Sequence, residues 1–459
     1  MNLDIILRTY SPAQVESVSN TSSTRICGND DREGMILRCA MSLVVTINLC
    51  KLADSIKLTV LDDNSADAFV EKLQQVLNMC EKTTELVRLT TQGAKNSGYQ
   101  QFLLASQCTG MVYTVEDDYL HEENALDNML VAYNHLNQKY HENGIVLYPY
   151  DCAFRYDVNR EYLTVLLYDG TRYWRQIRHV AGTMFSHSKF FKENFETLSF
   201  FLLNYPECSE DDSVNKLFEN YETGEGKIKV FSPIPSTAYH LSYNEPALIN
   251  TGQLGWRDLW KLENFVRLIN GWWNYENFYR VILDNMPTDA KIIEVGSWMG
   301  QSTVGMTLLA KKKNKNVKIW AVDTWEGSLE NINPGETSCH VAIIDELDKK
   351  RTTLYETFLL NLKIFQVEDD IIPIRKTSEE ASKDFEDGFA ELVIIDAAHD
   401  YDNVSNDIKH WLPKVKKGGI LAGDDYNPQS FPGVVAAVKD YFGEGNYQVY
   451  DTTWWKIIE

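Results

Sequence analysis

Short apolar runs alternate with amphipathic stretches along the whole chain, and this alternation limits the possible folds more than any other feature. Apolar runs of this kind suit buried strands, and the stretches between them have the spacing of helices. Strands that alternate with helices produce largely parallel sheets covered by helices. The pattern therefore predicts an α/β protein. Since 459 residues exceed what one ordinary core supports, we expect two domains.

Acidic residues follow two of the strands predicted in the first half. The predicted strands are residues 3–7, 56–61 and 111–115. The second is followed by Asp62 and Asp63, and the third by Glu116, Asp117 and Asp118. Acidic clusters at strand ends commonly hold metal ions, and a metal helps to bind and expel a diphosphate. Residues 69–80 have helical spacing, with Asn64 or Ser65 as the expected cap.

A glycine-containing turn opens the last third of the chain. The segment Glu294-Val295-Gly296-Ser297-Trp298-Met299-Gly300 follows a predicted strand and precedes a helix expected from about Gln301. Glycines at a first strand-to-helix turn let the backbone approach a ligand closely. Asp323 ends the next strand, where a nucleoside ribose needs a hydrogen-bond acceptor. Together these features indicate a nucleoside-type cofactor.

Two later strands also end in carboxylates. One ends at Asp396, with His399 three residues further on, and the other ends at Asp424 and Asp425. We expect these strands to be neighbours, with the carboxylates at one edge of the sheet. Clustered carboxylates repel one another unless a cation lies between them, and oxygen ligands suit Mg²⁺. A neutral imidazole at His399 can accept the proton of a hydroxyl group.

Residues 279–459 resemble the class I S-adenosylmethionine-dependent methyltransferases, and specifically the metal-dependent macrolide-sugar O-methyltransferases. The resemblance implies a Rossmann-like fold with S-adenosylmethionine as cofactor. It implies that Mg²⁺ is held by Asp396, Asp424 and Asp425, and that Ser378 contacts the adenine. The implied cofactor-binding residues are Glu294, Gly296, Ser297, Gly300, Ser302, Asp323, Ser378 and Asp396.

Residues 1–250 resemble the GT-A fold of family 2-like nucleotide-sugar glycosyltransferases, although the chain has Glu-Asp-Asp in place of the usual Asp-x-Asp. The resemblance implies Mn²⁺ or Mg²⁺ on Asp118 and His240, and an acceptor site lined by residues 179–185. Asp211 or Asp212 would be the catalytic base, at the start of a helix containing Val214, Leu217 and Phe218. The residues implied for the nucleotide sugar are Arg8, Asp62, Asp63, Glu116 and Asp117.

Residues 251–278 are rich in aromatic side chains at helix-like spacing, unlike a flexible linker. We interpret them as a helical segment that joins the two domains. The predicted organisation is thus a GT-A-like domain (1–250), a helical bridge (251–278) and a methyltransferase domain (279–459).

Charge and composition exclude several classes of partner. The net charge of −22, with no basic run longer than three residues such as Lys311–Lys313, argues against nucleic acid and anionic membranes. The eight cysteines include no C-x-x-C pair, which argues against a zinc site. We find no signal peptide or apolar run long enough to span a membrane, and expect a cytoplasmic protein.

These observations favour a bifunctional enzyme of glycan synthesis. One domain would transfer a sugar from a nucleotide sugar to a glycan or glycoconjugate, and the other would O-methylate a sugar hydroxyl. Two alternatives stay open. The first half could be a carbohydrate-recognition module without catalysis, or the methyl acceptor could be a small molecule other than a sugar.

Overall fold

The computed structural model describes residues 1–11, 32–91, 93–140, 144–151, 165–178, 180, 182–204, 214–218, 227–241, 256–327, 339–349 and 352–459. The chain divides into two compact units, Met1–Lys261 and Leu262–Glu459. Both units alternate strands with helices, which confirms the predicted α/β class.

The first unit contains a large mixed sheet and a small second sheet. Its described strands are β1 (Asn2–Thr9), β2 (Ser55–Asp62), β3 (Thr83–Arg88), β4 (Met111–Glu116), β5 (Tyr119–His121), β6 (Ile145–Leu147), β7 (Leu166–Tyr168), β8 (Tyr173–Ile177), β9 (Met184–His187), β10 (Lys229–Ile234) and β11 (Ala238–His240). Its described helices are α1 (Arg32–Leu49), α2 (Asp67–Asn78), α3 (Ala94–Gln107), α4 (Ala125–Tyr140), α5 (Ser188–Glu193), α6 (Phe195–Asn204) and α7 (Trp256–Leu259), with a 3₁₀ helix at Val214–Leu217.

The large sheet has the order β3-β2-β1-β4-β9-β6-β10-β8-β7, and β5 pairs with β11 in the small sheet. Strands β3, β2, β1 and β4 are parallel, whereas β9 is antiparallel to β4. Consecutive residues Ile5, Ile6 and Leu7 of β1 are all buried, as expected for a strand covered on both faces. The parallel strands bring the acidic ends of β2 and β4 to one edge.

The predicted cap of α2 is wrong. The helix begins at Asp67 after Ala66, without a side-chain cap. The Ser65 hydroxyl instead accepts a hydrogen bond from the Ser11 amide at 2.8 Å. Asn64 adopts a left-handed conformation with φ +59°.

The second unit is built on one sheet with helices between its strands. Its described strands are β12 (Lys291–Val295), β13 (Lys318–Asp323), β14 (Ile371–Arg375), β15 (Ala390–Ile395), β16 (Val415–Gly423), β17 (Gln448–Tyr450) and β18 (Thr453–Ile457). Its described helices are α8 (Glu276–Leu283), α9 (Gln301–Lys312), α10 (Cys339–Lys349), α11 (Leu354–Ile364), α12 (Ser378–Ser382), α13 (Tyr401–Trp411) and α14 (Pro432–Phe442), with 3₁₀ helices at Leu262–Leu268 and Leu412–Lys414.

The order of this sheet is β14-β13-β12-β15-β16-β18-β17. The first five strands are parallel, and β18 is antiparallel to β16. Strands β15 and β16 are neighbours, as the sequence predicts, with Ile395 opposite Gly423. Trp411 and Trp454 are buried in the core beside this part of the sheet. The strand order reverses between β12 and β15, where α/β sheets bind ligands at their carboxyl edge.

The segment predicted as a bridge is not one continuous helix. Its described part comprises α7, a 3₁₀ helix at Leu262–Leu268 and the start of α8, and the two units divide after Lys261. None of the described helices combines the length and the apolar character needed to cross a bilayer.

Candidate active site

The turn between β12 and α9 brings the backbone close to the end of β15. Gly296 and Gly300 have φ of +92° and +88°. A Cβ atom on Gly296 would lie 1.9 Å from the carbonyl oxygen of Asp396. Only glycine permits this close approach without strain. The predicted glycine turn thus lies directly against the first residue of the predicted acidic site.

Asp323 holds this turn in place from the end of β13. Its Oδ2 atom accepts hydrogen bonds from the amides of Ser297 (2.9 Å) and Trp298 (2.8 Å). Its Oδ1 atom accepts from the amide of Trp325 at 2.7 Å. Both tryptophans have positive φ, +45° for Trp298 and +51° for Trp325. The predicted ribose acceptor therefore also organises the two adjacent turns.

Glu294 lies beneath the turn and has no solvent exposure. Its carboxylate accepts hydrogen bonds from the hydroxyls of Tyr275 (2.8 Å), Ser297 (2.8 Å) and Thr303. Burial raises the pKa of Glu294, while the bonded hydroxyls, including that of Ser302, act to lower it. In this arrangement Glu294 supports the turn from within the protein. Tyr275 could not be identified from the sequence, because its aromatic neighbours suggest only packing.

The predicted adenine contact, Ser378, is the first residue of α12. Its hydroxyl donates to the carboxylate of Asp407 and accepts from the Trp411 indole at 2.8 Å. Burial raises the pKa of Asp407 to about 6. The side chain of Ser378 is thus engaged by α13 in this structure.

Three side chains converge at the carboxyl ends of β15 and β16. Asp396, His399 and Asp425 each offer a ligand atom, and these atoms lie within 4.8 Å of one another. The His399 Nε2 and Asp425 Oδ2 atoms are 2.8 Å apart. The His399 ring also packs on Phe431, with ring centroids 4.6 Å apart. The two carboxylates are oxygen donors suited to a divalent cation, and the neighbouring imidazole can accept a proton.

Asp424 lies next to this group and is 4% exposed. It accepts a hydrogen bond from the Thr452 hydroxyl at 2.7 Å and another from the side chain of Asn274. Burial, and then the charges of Asp424 and Asp425, raises the pKa of Asp396 well above its usual range. A cation between these carboxylates would offset the unfavourable charge, so the residues fit a divalent metal.

In the first unit, the acidic residues at the end of β2 are buried and accept hydrogen bonds from the loops. Asp62 accepts from the Ser65 amide at 3.0 Å, and Asp63 accepts twice from the Gly93 amide, at 2.9 and 3.1 Å. Neither carboxylate is more than 3% exposed. Here these residues shape the edge of the sheet.

The acidic residues at the end of β4 are paired with cationic side chains or with an imidazole. Glu116 forms an ion pair with Arg8 of β1, and the Asp117 carboxylate lies 3.0 Å from the guanidinium of Arg32. Arg32 could not be identified from the sequence, because the segment before it shows no motif.

The third residue of this acidic run meets the predicted histidine. Asp118 Oδ2 lies 3.1 Å from the Nε2 atom of His240. The His240 ring stacks on Tyr119, with centroids 4.6 Å apart and planes 9° apart. The structure thus brings together the two side chains that the sequence predicts as metal ligands of this unit.

Other predicted residues of the first unit fall outside the described parts of the chain, among them Asp211, Asp212 and His179. The helix expected after Asp212 is a 3₁₀ helix at Val214–Leu217. Phe218 does not belong to it, because its backbone forms a β-bridge with Ile228.

Residues 293–426 match a protein family described as a methyltransferase domain. The match covers the glycine turn, Asp323 and the Asp396–Asp425 region, and does not extend into the first unit. No curated protein matches the chain.

The O-methyltransferase NovP is among the similar solved structures, with 16% identity, 40% of this chain and 79% of that chain covered, and a TM-score of 0.28. The calicheamicin methyltransferase CalS11 is 14% identical, with 46% of this chain and 88% of that chain covered and a TM-score of 0.31. Precorrin-6y C5,15-methyltransferase from Geobacter metallireducens is 14% identical, with 38% of this chain and 71% of that chain covered and a TM-score of 0.25. Likeness at these values carries no information about substrate.

The fold and the matched family define the second unit as a Rossmann-like methyltransferase domain.

Proposed function

We propose that the second unit transfers a methyl group from S-adenosylmethionine to a sugar hydroxyl, assisted by a divalent cation. The observation that carries the proposal is the convergence of Asp396, His399 and Asp425 at the sheet edge where the glycine turn lies. The sugar is favoured by the resemblance of residues 279–459 to macrolide-sugar O-methyltransferases. A non-sugar hydroxyl is the alternative acceptor.

The cofactor would lie along the turn after β12. The residues proposed for it are Glu294, Gly296, Ser297, Gly300, Ser302, Asp323, Ser378 and Asp396. The turn is already ordered by Asp323 and Glu294 in this structure, so little conformational entropy is lost when it closes on a ligand. The Asp323 carboxylate accepts hydrogen bonds from three backbone amides, which leaves about one of its four acceptor positions, on Oδ1, for a ribose hydroxyl.

Asp396 and Asp425 would hold Mg²⁺, with Asp424 supporting the ion from the adjacent position. When bound, the cation supplies charge that orients the acceptor hydroxyl and makes it more acidic. Thr452 and Asn274 hold Asp424 in a defined orientation. Fixed carboxylates of this kind are what a metal site requires of its protein.

His399 would act as the general base. Its imidazole takes the proton of the acceptor hydroxyl while the oxygen attacks the sulfonium methyl carbon. Bound S-adenosylmethionine would supply the methyl group and leave as S-adenosylhomocysteine, with a methyl ether as the product. Asp425 stabilises the resulting imidazolium through the 2.8 Å contact at Nε2.

The test uses the full chain in two assays. Calorimetry should detect S-adenosylmethionine binding, and mass spectrometry should detect methylation of glycosides with Mg²⁺ that is lost with a chelator. Asp425→Asn should abolish the Mg²⁺-dependent methylation, whereas the exposed Asp387→Asn should preserve it. Absence of cofactor binding would overturn the methyltransferase proposal. Methylation restricted to phenols in a matched panel would support the non-sugar alternative.

A second candidate function concerns the first unit, which we propose to be a metal-dependent glycosyltransferase of the GT-A type. The Asp118–His240 contact supports it, because both residues were expected as ligands of Mn²⁺ or Mg²⁺. The parallel order β3-β2-β1-β4 also places acidic residues at one edge. The nucleotide sugar would contact Arg8, Asp62, Asp63, Glu116 and Asp117, with Asp211 or Asp212 as base. The chain would then be bifunctional.

Calorimetry against UDP, GDP and dTDP with Mn²⁺ tests this second function. At least one nucleotide should bind. Asp118→Asn should weaken this binding, whereas the exposed Asp54→Asn should leave it unchanged. Flat traces for all three would overturn the glycosyltransferase proposal. Glycan binding in the absence of nucleotide binding would favour a recognition module.

A further inference from the structure

Three aromatic rings from different segments of the second unit form a cluster, which we call the aromatic cup: Trp272, Trp298 and His340. Ring centroids are 6.2 Å apart for the two tryptophans, 5.2 Å for Trp272 and His340, and 4.8 Å for Trp298 and His340. Trp272 is 47% exposed. A large exposed aromatic side chain beside a candidate active site suggests contact with a ligand.

The backbone around Trp272 connects the two halves of the candidate site. On one side, Asn270 accepts a hydrogen bond from the Trp298 indole at 3.3 Å. On the other side, the side chain of Asn274 bonds to Asp424. In the sequence, Trp272 is two residues from each of these contacts. The cup therefore contains one residue of the cofactor turn, Trp298, and a second residue close along the chain to the Asn274–Asp424 contact, and an acceptor has to bind between the turn and the acidic group.

Trp298 is held firmly in the cup. Its amide donates to Asp323 and its carbonyl accepts from the Trp325 indole at 2.7 Å. Gly271 packs against the start of α9, since a Cβ atom there would lie 3.1 Å from the Cβ of Gln301. A preordered surface of this kind loses little entropy when it binds a ligand.

We propose that the aromatic cup is the acceptor subsite and that it stacks against the C–H face of a pyranose ring. The proposal rests on the sugar O-methyltransferase function given above. The three rings are inclined to one another by 47°, 56° and 86°. Rings inclined in this way turn their faces in different directions, which suits contact with a puckered, non-planar ring, whereas a flat aromatic acceptor is better held between parallel rings. Weakly positive C–H groups are attracted to the negative faces of aromatic rings.

Trp272→Ala and Trp272→Phe test the subsite, with the exposed Tyr450→Ala on β17 as control. The probes are methyl α-L-rhamnopyranoside and methyl β-D-glucopyranoside, each with S-adenosylhomocysteine present. Saturation-transfer NMR with irradiation of the aromatic protons should give signals from one face of the pyranose of at least one probe. Trp272→Ala should lose them and raise KM for that glycoside by roughly tenfold, with partial rescue in Trp272→Phe. Affinity for S-adenosylhomocysteine should be unchanged, which verifies folding.

Two results would overturn the proposal and are distinguishable. If the wild type methylates a glycoside and Trp272→Ala does so with the same KM, the subsite is wrong and the proposed function stands. If the wild type methylates neither glycoside but does methylate a phenol such as catechol, the sugar function fails and the pyranose subsite fails with it.

Discussion

The imidazole of His399 and the carboxylate of Asp425 meet with their Nε2 and Oδ2 atoms 2.8 Å apart, joining the turn after β15 to the turn after β16. Asp425 has a left-handed backbone, with φ +59°, and this conformation places its side chain beside the histidine. The contact gives the candidate site a base and a partner carboxylate at the ends of two neighbouring strands.

Replacing His399 should remove the proposed base. We expect His399→Gln to lower kcat for methyl transfer by roughly 10²- to 10⁴-fold, the usual contribution of general base catalysis. Cofactor affinity should change little, because the turn after β12 is held by other residues. His410→Gln, at the end of α13, is the matched control and should keep full activity. An unchanged kcat in His399→Gln would assign the base to another group.

Gly296 should tolerate no side chain, because the Asp396 carbonyl occupies the position of a Cβ atom. We expect Gly296→Ala to destabilise the protein by more than about 3 kcal/mol, through combined clash and positive φ. Gly445→Ala separates the two effects, since Gly445 has φ +87° and nothing within 4 Å of its Cβ position. It should cost only about 1 kcal/mol. If chemical denaturation shows that Gly296→Ala and Gly445→Ala lower the free energy of unfolding equally, the close approach of Gly296 to the Asp396 carbonyl is unimportant.

Glu294 should be essential for the stability of the glycine turn. Glu294→Leu leaves the hydroxyls of Tyr275, Ser297 and Thr303 without their buried acceptor, at a cost of roughly 2–4 kcal/mol. Tyr275→Phe removes one donor and should cost about 1 kcal/mol. Thermal unfolding compares the two variants, and calorimetry should show weaker cofactor binding by Glu294→Leu. A Glu294→Leu protein as stable as the wild type would refute the supporting role.

Asp407 should make stability depend on pH. Burial raises its pKa from 3.8 to about 6, so the folded state holds the proton more tightly than the unfolded state. The resulting stabilisation is complete below pH 3.8 and is lost as pH rises through 6. Asp407→Asn lacks this titration. We therefore expect the stability of the wild type relative to Asp407→Asn to fall by about 1.4 kcal/mol between pH 5 and 8. If the free energies of unfolding of the wild type and of Asp407→Asn change with pH in the same way across this range, the raised pKa of Asp407 is wrong.

The sequence alone determined the α/β class, the ends of the main strands and the approach of β15 to β16. These features follow from local signals, because apolar runs mark buried strands and parallel strands end at one edge. The glycine turn could likewise be predicted, since few residues other than glycine adopt positive φ without strain. The carboxylates of Asp323, Asp396 and Asp425 could also be identified, because each lies at the end of a predicted strand.

Only the tertiary structure decided which side chains meet. Asp425 pairs with His399, Asp424 turns to Thr452 and Asn274, and the Ser378 hydroxyl engages α13. Adjacent carboxylates have the same local pattern, so sequence cannot distinguish their partners. The partners come from distant segments whose approach depends on packing of the whole unit. The same reason explains why Tyr275, Arg32 and the cup at Trp272 emerged only once the chain was folded.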